Sequence, residues 1–266
     1  MYVRYGKAWL KPEQELVELA EKKCLKAEQN GVCDAKSLSI IGVVEIQKKN
    51  YQKAVDYLLR VLEQNSEDGD VNYNLAYAYL HLGHLDEGLK YAGISLNLYH
   101  DQEYKSDAAR LMALLYRNQN DDQNAITYYK LSETISPNNY YNLSALLELY
   151  IKAKDLKMAA STADALLALD PTACDVAQDI VRSYYKNGQI EELFSFFTRM
   201  EQKYGTQDQV MGNLFFNKAY AFLLIKDFKQ AKDCFTKARQ YFGKCLHKDD
   251  QVFKLIDQEL KELGNN

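Results

Sequence analysis

Apolar side chains recur along this chain at steps of three and four, and the whole pattern returns every 34 residues. The clearest copy runs from Ser106 to Asn139, where Met112 and Ala113 are followed by Tyr116, then Ala125, Tyr129, Ser132 and Pro137. The next copy keeps the frame with Leu143, Leu146, Tyr150 and Ala159, and its Pro171 falls 34 residues after Pro137. Steps of three and four hold such residues on one face of a helix. A period of this length makes each copy a pair of short helices that buries its apolar face only by stacking on the next pair.

The positions within a copy follow from that packing. A small residue on the first helix (Gly42, Ala76, Ala113, Ala219) lets the second helix approach, and twelve residues on a second small residue (Ala54, Gly88, Ala125, Ala159, Ala231) takes the other side of the contact. A bulkier filler follows at Leu58, Tyr129, Phe197 or Phe235, and then Ser95, Ser132 or Ala238, where the next pair is expected to dock. Tyr79, Tyr116, Tyr150, Tyr184 and Phe222 are expected to fill the space between neighbouring pairs. Proline after the second helix ends it, because proline cannot continue the hydrogen-bond ladder.

These residues resemble the tetratricopeptide repeat (TPR) family, over most of the chain. Units are read at 35–68, 69–102, 106–139, 140–173, 174–207 and 212–245, with small insertions after the second and the fifth. The unit at 174–207 departs furthest: Val181 and Leu193 stand where small residues belong, and its two helices are expected to sit further apart. Residues 1–34 form a degenerate N-terminal unit with one good helix from about Pro12 to Gln29, in which Ala20, Cys24 and Ala27 hold the second-helix spacing. Residues 246–266 form a capping helix on the stripe Val252, Leu255, Ile256, Leu260 and Leu263. The resemblance implies an all-α fold, a right-handed superhelical solenoid of about six hairpins, here read as one continuous domain over 1–266.

Composition fits this reading. The chain has 266 residues, 47% hydrophobic content and only three prolines, with no strand-like alternation. A net charge of −4 and a pI near 5.7 disfavour a general nucleic-acid or anionic-membrane surface. No apolar run reaches membrane-spanning length, and Met1-Tyr-Val-Arg-Tyr opens without the apolar core of a signal peptide. The five cysteines (Cys24, Cys33, Cys174, Cys234, Cys245) are irregularly spaced and read as buried or partly buried packing residues, whose reduced state suits the cytoplasm.

Candidate chemistry is sparse. Phosphate-loop, dinucleotide, zinc-protease and serine-hydrolase motifs are all missing from the sequence. His81 and His84 flank Gly83 at a hairpin turn and read as a solvated turn rather than a metal site. Neither enzyme nor cofactor nor metal is expected. In TPR arrays the first helix of each unit lines a groove, and the resemblance places Tyr73, Tyr77, Arg110, Arg117, Tyr141, Glu148, Arg182, Tyr185, Phe216 and Tyr220 there as candidate partner-binding residues. Tyrosine supplies contact area at low rotamer cost, and arginine grips carboxylates or stacks on aromatic rings. The Lys and Asn set with which some TPR domains hold a chaperone's C-terminal carboxylate is not matched by three successive units, so that mode of binding is not expected. The expected function is a protein-interaction module, an adaptor, scaffold or chaperone-like protein that binds a partner segment in the groove. The alternative is a scaffold that associates with itself, as a homodimer, without a separate ligand. RNA recognition is disfavoured by the acidic balance and by the lack of regularly paired polar positions.

Overall fold

A computed structural model describes residues 3–5, 8–10, 14–31, 34–64 and 67–264, with side chains from residue 22 onward. Pro12 and Cys33, and the side chain of Ala20, lie outside the described residues. The chain divides into two compact units, Met1–Pro137 and Asn138–Asn266. The first holds a short antiparallel hairpin, β1 (Val3–Tyr5) and β2 (Ala8–Leu10), then α1 (Gln14–Gln29), α2 (Ala35–Gln47), α3 (Tyr51–Gln64), α4 (Gly69–Leu82), α5 (Leu85–Leu98), α6 (Gln102–Asn118) and α7 (Asp122–Ile135). The second holds α8 (Tyr140–Lys152), α9 (Leu156–Leu169), α10 (Cys174–Lys186), α11 (Ile190–Tyr204), α12 (Asp208–Leu224), α13 (Phe228–Cys245) and α14 (Gln251–Gly264). The fold is that of an all-α repeat solenoid. The hairpin, whose register pairs Val3 with Leu10, Arg4 with Trp9 and Tyr5 with Ala8, is the exception to the all-helical reading.

Helices α2, α4, α8 and α10 begin at Ala35, Gly69, Tyr140 and Cys174, the first residues of four expected units. Helices α6 and α12 instead begin at Gln102 and Asp208, ahead of the expected Ser106 and Gly212, and each is 17 residues long. The insertions therefore lengthen a first helix by about one turn. Most starts are fixed by an Asp or Asn side chain that accepts an otherwise orphaned backbone N–H. Asp34 accepts from Ser37, Asp68 from Val71, Asp121 from Asn124 and Asp155 from Met158.

Each hairpin turns on one residue in the left-handed region: Lys49, Gly83, Asn120, Lys154, Gly188 and Lys226. The turn is closed by amide bonds of one form, such as Asp155 N to Tyr150 O at 2.9 Å and Asp227 N to Phe222 O at 2.9 Å. Glycine takes this conformation freely, and the lysines take it against a steric penalty.

Between paired helices the small residues do what their spacing requires. A Cβ on Gly42 would lie 2.7 Å from the Leu58 side chain, and Ala76, Ala113 and Ala219 are fully buried. A Cβ on Gly88, by contrast, would meet Leu115 of the following repeat at 2.6 Å. In the first unit one apolar cluster joins Leu38, Ala54 and Leu58 to Val71 and Leu75, and a second joins Ala76 and Ala92 to Leu111 and Leu115, so the core passes from repeat to repeat. Helices α10 and α11 lie less closely against each other than the helices of any other hairpin, as bulky Val181 and Leu193, both buried, require.

Several expected contacts run differently. Tyr79 and Tyr116 do pack against the apolar clusters that join their hairpins to the preceding ones, but they also stack on Tyr91 and Tyr128 of their own hairpins, and Phe222 stacks on Phe194 of the preceding hairpin at 4.4 Å. Ser132 bonds back to Ser106 of its own repeat, each hydroxyl donating to the other's carbonyl or sharing a 2.9 Å hydroxyl contact. Helix α14 caps α13 through fully buried Ile256, but Leu255 is 50% exposed and lies off the covering stripe. Cys24 and Cys234 are buried and Cys174 partly so, while Cys245 is exposed rather than packed. His81 is held between Tyr51, stacked at 4.5 Å, and Tyr77, edge-on at 4.6 Å.

The left-handed turns give opposite expectations for two substitutions. Gly188→Val, at φ +69, should cost about 1–2 kcal/mol, and Lys226→Gly, at φ +62, should stabilise by about 0.5–1 kcal/mol. Chemical denaturation of the two variants beside the parent chain checks both signs.

Candidate protein-binding surface

The first helix of each hairpin carries the candidate residues, and the two units treat them differently. In the first unit Tyr73 on α4 is only 9% exposed and belongs to the apolar cluster with Ala76 and Leu111. Tyr77, one turn on, is half-buried against His81, and burial first, then neighbouring Tyr51 and Tyr73, pushes its hydroxyl up to about 12. On α6, Arg110 donates to Asp107 at 2.6 Å, so its guanidinium is already engaged, and Arg117 is partly exposed at the helix end. A polar cleft of about 400 Å³ opens elsewhere in this unit, lined by Leu25, Glu45, Lys53, Asp56, Tyr57 and Arg60. Its charges are largely satisfied from within: Tyr57 and Arg60 donate to Glu28, and Asn50 donates to Glu45.

In the second unit the exposed candidates gather on α8 and α10. Tyr141 is 69% exposed and meets Tyr140 edge-on. The Tyr140 hydroxyl donates to Asp179 on α10, and Arg182 donates to the same carboxylate at 2.7 Å. Burial first, then Asp179, pushes the Tyr140 hydroxyl up to about 12. Along α10, Asp175, Gln178, Arg182 and Tyr185 are all exposed at steps of three and four, which sets them in one row. Tyr185 also reaches the backbone carbonyl of Leu224 on α12 at 3.4 Å. Glu148 on α8 is half-buried.

The last candidates are placed for packing. Phe216 is 5% exposed and lies edge-on to Tyr220 and Phe235. Tyr220 is half-buried and donates to Glu259 of α14 at 3.1 Å; burial first, then Glu259, pushes it up to about 12. Tyr141, Arg182 and Tyr185 are thus exposed, the last two in one row on α10, while Tyr73 and Phe216 lie inside.

Asp179 is the organising residue that the sequence reading passed over. It joins α8 to α10 and fixes the Arg182 guanidinium. The available signal was an acid three residues ahead of an arginine, in Asp179 with Arg182 and in Asp107 with Arg110, a same-face pairing on a helix. Such exposed pairs add little stability, but they orient the arginine.

Residues 45–115 and 111–139 match two family models, each described as a tetratricopeptide repeat. The chain is a tetratricopeptide-repeat protein. No curated protein matches this TPR chain. Among solved structures it is similar to a TPR protein from Parabacteroides merdae, at 15% identity over 95% of this chain and 100% of that one, with a TM-score of 0.53. It is similar to YrrB, described as a TPR protein with an unusual peptide-binding site, at 13% identity over 73% of this chain and 97% of that one, with a TM-score of 0.52. A chain of the Cut9–Hcn1 hetero-tetramer of APC/C aligns over 94% of this TPR chain and 46% of its own, at 11% identity and a TM-score of 0.55. At these identities the likenesses show the shared fold.

Tyr77, Tyr140, Tyr184 and Tyr220 all carry hydroxyls raised to about 12. A phenol raised on folding is held neutral by the fold, so its contribution is complete below the ordinary value of about 10 and is lost as pH climbs through the folded value. Stability should therefore fall between pH 10 and about 12, and phenolate absorbance should show these tyrosines ionising late in the folded chain and together with the rest once it is unfolded.

Proposed function

We propose that this TPR protein is a non-catalytic interaction module that holds a segment of a partner protein on the first-helix face of its second unit. The observation that carries the reading is the open row on α10, where Gln178, Arg182 and Tyr185 stand exposed, together with exposed Tyr141 on α8, the helix that Tyr140 ties to Asp179 of α10. Tyr141 and Tyr185 supply flat contact area, and Arg182, steadied by Asp179, offers a planar donor fork to a carboxylate or a backbone carbonyl. A fixed arginine loses less freedom on binding than a mobile one. YrrB, which shares the fold, is described as having a peptide-binding site, and that supports the same class of ligand here. Among the described residues no helix is long and apolar enough to cross a membrane.

A second reading, self-association, is favoured by one observation. Leu224, Ile225 and Phe228 are 43%, 39% and 48% exposed at the turn from α12 to α13, and Tyr185 touches the Leu224 backbone. Contiguous exposed apolar groups of this kind mark contact sites between proteins.

The two readings separate by experiment. With a partner identified by affinity capture from native lysate, Tyr141→Ala combined with Arg182→Glu should weaken its binding by roughly 100-fold, a loss of about 2–3 kcal/mol, with far-UV circular dichroism unchanged. Unaltered affinity in calorimetry would remove the second-unit surface. For self-association, light scattering should show a dimer that Leu224→Asp with Phe228→Asp returns to monomer, and a parent chain that is monomeric at high concentration rules the dimer out.

A further inference from the structure

The polar cleft of the first unit takes no part in the surface on α8 and α10. Three helices line it: Leu25 comes from α1, Glu45 from α2, and Lys53, Asp56, Tyr57 and Arg60 from α3. The four α3 residues follow steps of three and four, which sets them on one face. Glu45 stands one turn after Gly42, the residue that meets Leu58 of α3, so it points to the same helix. A volume of about 400 Å³ suits a small ligand or one long side chain.

Glu45 sets the chemistry of this cleft. It is 6% exposed, and a carboxylate withdrawn this far from water needs an opposite charge or a full set of hydrogen bonds. Among the described residues it has one partner, the Asn50 side-chain amide, which donates to Oε2 at 2.8 Å. The cations nearby are placed otherwise. Arg60 lies over the Tyr57 ring and donates to Glu28 at 2.6 Å. Lys53 is exposed and forms no ion pair with a described carboxylate. With Glu28 included, three carboxylates (Glu28, Glu45, Asp56) face two cations (Lys53, Arg60), so the cleft has room for one more positive charge.

We infer that this cleft binds a primary ammonium group, carried by a free amine or by a lysine side chain of another protein, with Glu45 as its counter-charge. An anion would meet the buried carboxylate and is excluded by it. An ammonium fits better than a guanidinium, because Asn50 already holds Oε2 and a planar fork needs both oxygens. The bound group would touch α1, α2 and α3 together, so occupancy should also raise the stability of the chain.

The test uses L-lysine, n-butylamine and the blocked peptide acetyl-Gly-Lys-Gly-amide, each titrated by calorimetry into the full chain. Glu45→Gln keeps an oxygen for Asn50 and removes only the charge. The parent should bind at least one of the three and melt at a higher temperature in its presence. Glu45→Gln should bind roughly tenfold or more weakly while melting like the parent without ligand. Lys53→Ala, which removes the cleft's own ammonium, should bind at least as tightly as the parent. Binding of the peptide makes a protein lysine the source, and binding of the free amines alone makes it a small molecule. No heat from any of the three, equal affinity in Glu45→Gln, or loss of binding in Lys53→Ala overturns the inference. If Glu45→Gln fails to fold, n-butanol on the parent chain decides: the neutral analogue should not bind, and affinity equal to that of n-butylamine overturns the site.

Discussion

The closeness with which two antiparallel helices approach each other is the constraint on which the rest of this molecule depends. Gly42 against Leu58, and the fully buried Ala76, Ala113 and Ala219, leave room for a second backbone where a larger side chain would hold it off. That approach is possible only if the chain reverses within a few residues, which the left-handed residues from Lys49 to Lys226 achieve six times. Once the pair is formed, its remaining apolar face has no partner of its own and must be covered by the next pair. The apolar clusters that run from α2 into α4, and from α4 into α6, show that dependence directly. Where the small residues are replaced by Val181 and Leu193, the hairpin loosens, and α10 presents an open row of polar and aromatic groups.

Much of this was legible in the residues because the same steric demand recurs at a fixed interval. The starts of α2, α4, α8 and α10 fall where the period places them. Periodicity carries less information about features that occur once. The strand pair at Val3–Tyr5 and Ala8–Leu10 has no counterpart in other repeats, and the extra turns of α6 and α12 appear in the sequence only as a lapse in the frame. A repeat also shows that a tyrosine is packed without showing on which side. Tyr79 and Tyr116 pack towards the preceding hairpin yet take their ring partners from their own, while Phe222 takes its ring partner from the preceding one, because either ring partner satisfies the same burial.

The candidate surface was harder to read than the fold, and the reason is physical. A first-helix position faces inward whether or not anything else lies over it. Tyr73 and Gln178 each stand four residues after the first residue of their helices, α4 and α10, yet Gln178 is exposed and Tyr73 is buried. The difference comes from contacts made by other parts of the chain, which local spacing does not encode. Arginine is ambiguous in the same way: Arg110 and Arg182 are both engaged by an acid three residues earlier, which a search for free cations overlooks.

Those ion pairs bear on what the surface selects. Arg182 keeps about three-fifths of its side-chain area exposed, with a value of 61%, although one of its donors is committed to Asp179. An incoming carboxylate therefore meets an arginine whose direction is set and whose charge is partly balanced. The balance lowers the gain from a bare negative charge, and the fixed direction raises the gain from a group of the right geometry, since less freedom is lost on binding. Tyr140, donating to the same Asp179, ties that geometry to α8. Under the proposed function, a surface built this way would favour shape and hydrogen-bond direction over net charge, as suits recognition of one protein segment among many.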